Sequence, residues 1–93
     1  MTVYVDDARI PARVGRITGR WSHLTADTKP ELHAFAARLG LRRAWFQDKP
    51  YGAWHYDITE SKRRRAVALG AVEVPWRDFG AVWTRPGREG RPA

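Results

Sequence analysis

The sequence contains no cysteine. Disulfide frameworks, thiolate metal ligands and a cysteine nucleophile are therefore excluded. It also lacks any apolar run approaching the ~20 residues that a membrane span requires. Its opening stretch, MTVYVDDARI, carries two acids and no apolar core, so no signal peptide is expected. These absences predict a cytoplasmic protein with no membrane partner. The chain is short as well. Its 93 residues make one domain at most, and a chain of this size buries only about 60–65% of its unfolded surface. Five Trp, three Tyr and three Phe enlarge that modest core, since each aromatic buries ~150–250 Å².

Acids are scarce. Ten Asp and Glu face seventeen Lys and Arg, giving a net charge of +7. Such an excess suggests an anionic partner, nucleic acid or a nucleotide. Fourteen of the basic residues are Arg, and Ala, Gly and Pro are frequent. A GC-rich genome writes the same mix by codon bias, so the placement of the arginines says more than their number. Residues 8–26 hold Arg9, Arg13, Arg16 and Arg20 and no acid. Gly15 and Gly19 let the backbone of this stretch approach a ligand closely. An Arg-bearing, Gly-punctuated loop beside helix N-termini suits phosphate, although it matches neither the P-loop nor the dinucleotide fingerprint. Lys62 and Arg63 join this phosphate-binding set from the KRRR run. Consecutive helical residues are ~100° apart, so those four cannot share a face. Part of the run must cover the apolar side with its aliphatic stems.

The order of elements follows from pattern. TVYVD (2–6) alternates as a half-buried strand. The next twenty residues are too many for a plain connection; they are functional or hide a hairpin, which ARVGRITGRW can supply. Thr28, Pro30 and Glu31 mark a helix start. Leu32, Phe35, Ala36 and Leu39 form its apolar face, and Gly40 ends it. LRRAWFQ (41–47) reads as a strand, DKPYGA (48–53) as a turn, and HYDI as an extension or re-pairing of that strand. Thr59 caps a second helix that runs through Leu69 and ends at Gly70. AVEVPW (71–76) is a third strand with Val72 and Val74 inward. The two helical units share one plan thirty residues apart, Asp27 with Asp57, Ala36 with Ala66, Leu39 with Leu69 and Gly40 with Gly70. Phe79, Val82 and Trp83 pack back on a single domain spanning 1–83. TRPGREGRPA (84–93) is expected to be a disordered basic tail. The sum is a small two-layer β-α-β-α-β domain, with a mostly parallel three-stranded sheet and two helices on one face. The other face is left for the long loop, the tail or a second copy in a homodimer.

In a parallel sheet, ligands bind at the carboxyl ends of the strands. That rule gathers Asp6, Asp7, His23, Asp27, His55, Asp57, Arg77 and Asp78 at one rim. Acids before helices also serve as caps and favour the dipole. His55 and Asp57 are harder to explain so. At i and i+2 of an extended segment they point to one face. They are the candidate catalytic pair, because a carboxylate can orient an imidazole for proton transfer or both can bind one metal. His33 lies in the first helix beside its apolar face and reads as a boundary residue.

VYVDDARIP, then WSHLTADT leading into ELHAFAARLGL, then WFQ, HYDIT and SKRRRAVALGA resemble the bacterial and phage family called domain of unknown function 4031. The resemblance covers about residues 2–78. It implies a small stand-alone protein, often phage-associated, and implies no activity. The polar motifs of the family would map onto Asp6, Asp7, His23, Asp27, His33, His55 and Asp57.

Three functions of different classes fit these residues. The first is a binding protein for a phosphate-bearing ligand, nucleic acid or nucleotide, that requires no cofactor. The second is a metal-dependent, nuclease-like phosphoester hydrolase, with Asp6, Asp27, His55 and Asp57 holding Mg²⁺ or Mn²⁺. The third is an interaction module that docks a phage or host protein.

Overall fold

The computed structural model describes residues 2–90. TVYVD forms strand β1 (Val3–Val5). The long stretch behind it does contain a hairpin: β2 (Ile10–Val14) turns through Gly15 and Arg16 into β3 (Ile17–Ala26). Ten residues long, β3 is the organising strand. Leu24 pairs with Val5 of β1 on one edge and with Tyr56 of β4 (Tyr56–Thr59) on the other, both antiparallel. A short strand β5 (Val72–Glu73) joins β1 in parallel.

The sheet is therefore five-stranded, mixed and mostly antiparallel, which corrects the expected three-stranded, mostly parallel sheet. Only the β1–β5 pair keeps the parallel direction. The error has a local cause. LRRAWFQ is not a strand: Arg43–Trp45 forms a 3₁₀ turn, and Gln47 makes a single bridge to His55. The segment after the DKPYGA turn, HYDIT, takes the place beside β3 instead.

The helices follow their signals. In α1 (Lys29–Arg38), Thr28 Oγ1 accepts the Glu31 N–H at 3.3 Å, a cap worth about 1 kcal/mol. The reciprocal half of the capping box is not made, and Glu31 Oε1 is buried without a partner. Thr59 caps α2 (Glu60–Ala68) in the same way. Both helices then close alike. Gly40 and Gly70, at φ +78 and +106, donate to Ala37 and Val67, while Leu41 and Ala71 donate to Ala36 and Ala66. This is the Schellman closure, which favours glycine in the left-handed position. The shared Ala-x-x-Leu-Gly spelling thus records a common helix ending.

Leu32, Phe35, Ala36 and Leu39 from the first helical unit and Ala66 from α2 pack against Val3, Val5, Leu24 and Ile58. Both helices lie on one face, as expected. Leu39 is fully buried, so Leu39→Ala is expected to cost ~2–5 kcal/mol through transfer and cavity terms, as urea unfolding will measure. Val72 departs from its expected inward position. It is exposed on the two-residue strand β5, whereas Val74 packs against Tyr4, Phe79 and Val82. No helix among the described residues is long and apolar enough to cross a membrane.

Alternation along the strands sends Tyr4, His23, Thr25 and Asp57 to the opposite face. That face is covered by the chain itself. A 3₁₀ turn at Trp76–Asp78 and the short helix α3 (Gly80–Trp83) seat Phe79 and Val82 on Tyr4. Residues 84–90 are not a disordered tail. Arg88 is buried and donates to Ala26 O, Gly52 O and Thr25 Oγ1, with its guanidinium 4.0 Å from the centre of the Trp54 ring. Trp54 Nε1 donates to Glu89 O, and the Lys29 N–H donates to the Glu89 carboxylate. Composition predicts disorder here because it counts apolar bulk, whereas this segment is held by hydrogen bonds and a stacked cation. Residues 91–93 of the expected tail lie outside the described residues.

Candidate metal centre

The β3–β4 register sets His23 directly opposite Asp57. His55, two residues before Asp57, extends toward the same face. One ligand atom from each of His23, His55 and Asp57 lies within 4.8 Å of the others. The two imidazole rings meet edge-on, with centroids 5.0 Å apart. This is the one such cluster of three ligating side chains among the described residues.

The tautomers of both histidines follow from their partners. Asp6 is fully buried just past β1. Its Oδ2 lies 2.6 Å from His23 Nδ1, and its Oδ1 accepts the backbone N–H groups of His23 and Ala8 at 2.8 and 3.2 Å. An ionised carboxylate only accepts, so His23 Nδ1 carries a proton and Nε2 is left for another partner. His55 Nδ1 lies 2.8 Å from Ala53 O. A carbonyl also only accepts, so His55 Nε2 is left free as well. Hydrogen bonds of this kind, from the ring nitrogen that does not bind the metal, set and orient the imidazole ligands of metal sites. His55 Nε2 is in turn 3.2 Å from Asp57 Oδ1. A lone pair facing a carboxylate oxygen repels it. A cation between them, either a proton on Nε2 or a metal held by both, makes the contact attractive. The second Asp57 oxygen accepts from Gln47 Nε2.

Charge is tuned around the cluster. The hydrogen bond to Asp6 raises the pKa of His23, and burial opposes the rise without cancelling it. Burial pushes the Asp57 carboxyl up, but the hydrogen bond from His55 that a proton on Nε2 provides, together with that from Gln47, outweighs it and holds the group below its ordinary value. Two imidazoles and a carboxylate suit Mn²⁺, Fe²⁺ or Zn²⁺. Mg²⁺ prefers oxygen donors and keeps its waters. Asp6→Asn replaces the ionised acceptor of the His23 proton. It is expected to lower metal affinity by about 10–100-fold, the usual effect of losing an outer-shell partner, as titration calorimetry will show. The same substitution should flatten one pH dependence. His23 has a folded pKa above its ordinary 6.5, so its contact stabilises fully below 6.5 and the contribution is lost as pH rises through the raised value. Unfolding free energies measured in chelator across that window should show this fall in the wild type and lose it in Asp6→Asn.

The remaining candidates are dispersed. Of the four expected metal ligands, His55 and Asp57 converge, Asp6 stands behind His23, and Asp27 is elsewhere, accepting from Tyr4 OH at 3.0 Å. Asp7 accepts the Trp76 N–H at 2.7 Å, and Asp78 sits in the 3₁₀ turn that follows. His33 lies on the helical face, 2.9 Å from Tyr56 OH and edge-on to Phe46, and burial lowers its pKa. Arg9 is paired with Glu60 at 2.8 Å. Arg13 folds back on Gly15 O, while Arg16 and Arg20 are exposed on the hairpin. Lys62 donates to Leu39 O at the end of the first helical unit. Arg63 is buried, donating to Asp6 O at 2.8 Å and to Glu73 at 3.0 Å. Lys62 and Arg63 thus each make contacts within the fold.

The carboxyl-end rule does not apply, because in a mixed sheet the strands end at both edges. The polar residues gather on a face. Sequence reasoning assigned His23 to the rim without giving it a ligand role, and it missed the contributions of Gln47 and the Ala53 carbonyl. The alternation of HLTA, with Leu24 and Ala26 inward, is the signal that puts His23 on the other side. Two depressions border the cluster. His23 and Asp6 line a cleft of about 380 Å³ with Trp76, Arg77 and Trp83. Asp57 and Gln47 line a groove of about 740 Å³ under the hairpin.

No curated protein and no solved structure matches the chain. A family model does match, over residues 3–85, and so takes in every strand and helix described above together with Asp6, His23, His55 and Asp57. The chain belongs to the family described as protein of unknown function DUF4031.

Proposed function

We propose that the protein is a metal-dependent hydrolase of phosphate esters, with Mn²⁺ or Zn²⁺ held by His23, His55 and Asp57. One observation carries the reading. Hydrogen bonds to Asp6 and to Ala53 O occupy Nδ1 of both imidazoles and leave Nε2 as the nitrogen each can offer a metal, in a cluster with Asp57 whose ligand atoms lie within 4.8 Å of one another. Three protein ligands leave a position for water, whose pKa a bound metal lowers toward neutrality. Arg77, exposed in the adjoining cleft, supplies a planar donor for phosphate oxygens. The cytoplasm is the proposed setting.

The test is turnover of bis(p-nitrophenyl) phosphate by protein stripped with chelator and then given each metal in turn. Mn²⁺ or Zn²⁺ should restore hydrolysis, and Asp57→Asn should not respond. Absence of turnover with every metal sinks the hydrolase. The net charge of +7 favours a second reading, a nucleotide or nucleic-acid binding protein in which the centre grips phosphate through its metal. Metal-dependent binding without turnover is the outcome that selects it.

A further inference from the structure

We infer that the groove under the β2–β3 hairpin is a channel for single-stranded nucleic acid that delivers a phosphodiester to the metal centre. The delivery step rests on the hydrolase reading, whereas the binding step does not. The groove is lined by two aromatic side chains, Trp21 on β3 and Trp45 on the 3₁₀ turn, and by Val14 and Ile17 of the hairpin. Trp45, Val14 and Ile17 are each about half exposed, at 47%, 53% and 49%. Apolar surface so placed is left open to solvent by the fold itself.

Cations interleave with these side chains. Arg16 at the hairpin turn and Arg42 before the 3₁₀ turn line the same groove. Among the described residues neither has a carboxylate within ion-pair distance. The Arg42 guanidinium lies 6.0 Å from the Trp45 ring centre. The one acid lining the groove is Asp57, which belongs to the metal centre. The groove thus runs from a basic, aromatic arm to the ligating carboxylate.

Charge and shape select the occupant. An apolar peptide would cover the tryptophans and leave two arginines without counter-ions. An acidic peptide would satisfy the arginines and leave the rings bare. A single nucleic-acid strand alternates flat bases with phosphates and answers both. Bases stack on exposed aromatic side chains while a cationic groove follows the backbone. Duplex bases keep their faces to each other, so stacking on Trp45 requires an unpaired strand. A volume of about 740 Å³ lies within the roughly 300–1,000 Å³ usual for ligand sites.

The probe is fluorescein-labelled oligothymidylate, followed by fluorescence anisotropy with the full chain in chelator at low and rising salt. Binding is expected, with affinity falling linearly on a log–log salt plot. Trp45→Ala should weaken it about 5–100-fold, the effect of one lost stacked base. Arg16→Ala with Arg42→Ala should reduce the salt slope by about 1.4, roughly 0.7 for each phosphate contact. Melting curves will show these exposed-site variants to be folded. The channel is overturned by any of three results: no binding at low salt, wild-type binding by both variants, or duplex bound as tightly as single strand. The hydrolase fails separately. If oligothymidylate binds through Trp45 but no metal supports cleavage of any phosphodiester, the channel stands and the hydrolase falls. If the nitrophenyl ester is cleaved but the oligonucleotide does not bind, the reverse holds.

Discussion

Replacing Arg88 with Ala lowers the folding free energy by about 2–5 kcal/mol, through buried acceptors left without donors and a void left in the packing. The side chain is only 3% exposed. Burial pulls its pKa down to about 10, so it remains charged at neutral pH. Among the described residues no carboxylate bonds to it. The compensation comes from Ala26 O, Gly52 O and Thr25 Oγ1, which receive its N–H groups, and from the face of Trp54. Removing it leaves two buried carbonyls short of donors, at about 1–3 kcal/mol each, and opens a void over the indole. Lys at this position should recover little, because one ammonium cannot meet acceptors arranged around a planar guanidinium. Arg20→Ala, on the exposed hairpin, should stay within about 0.5 kcal/mol of wild type. Urea unfolding of the three variants distinguishes a docked segment from a free one. If Arg88→Ala unfolds like Arg20→Ala, the segment does not hold the domain.

A bound metal produces the second large effect. A cation that binds only the folded state adds about 2.7 kcal/mol at a free concentration one hundred times its dissociation constant. For a domain of this size that raises the melting temperature by about 10–20 °C. Mn²⁺ or Zn²⁺ should give this rise, and the His55→Ala, Asp57→Ala double variant should abolish it. His33→Ala, on the far side of the sheet, should retain it. In chelator the double variant should lose far less stability than Leu39→Ala. Among the described residues the polar side-chain contacts of the pair are to each other, Gln47 and the Ala53 carbonyl, and its mutual contact needs a cation to be attractive. A double variant that melts as low as Leu39→Ala would make HYD a structural corner and would leave the metal centre without its two principal ligands.

What could be read in the sequence was local. Thr28 and Thr59 as caps, Leu-Gly as a helix ending and Leu32, Phe35 and Leu39 as a core stripe each depend on a few neighbouring residues, and the structure has them in place. His55 and Asp57 were legible as a pair for the same reason, since spacing alone puts them on one face. Strand partners beyond the hairpin were not legible. β3 spells ITGRWSHLTA, in which Gly, Ser and Thr imitate a loop, and two of its three partners, β1 and β4, come from outside the hairpin. LRRAWFQ has strand-like content but closes into a 3₁₀ turn, and treating it as a strand imposed a parallel order that the hairpin contradicts. The ligand role of His23 depends on register with Asp57, a non-local property, so only the paired strands disclose it.

The central position of β3 governs the order of events when the protein folds. The candidate metal cluster draws His23 from β3 and His55 and Asp57 from the β4 segment, with Asp6 from the end of β1 behind His23. No hairpin holds all three ligands, so the long-range loop between β3 and β4 must close before they meet. If the cluster completes only after the transition state, its contacts influence unfolding rates and leave folding rates alone. Stopped-flow traces with and without Mn²⁺ should therefore share a refolding limb, while the unfolding limb slows in proportion to the stabilisation. The ion would act as a latch on the finished sheet.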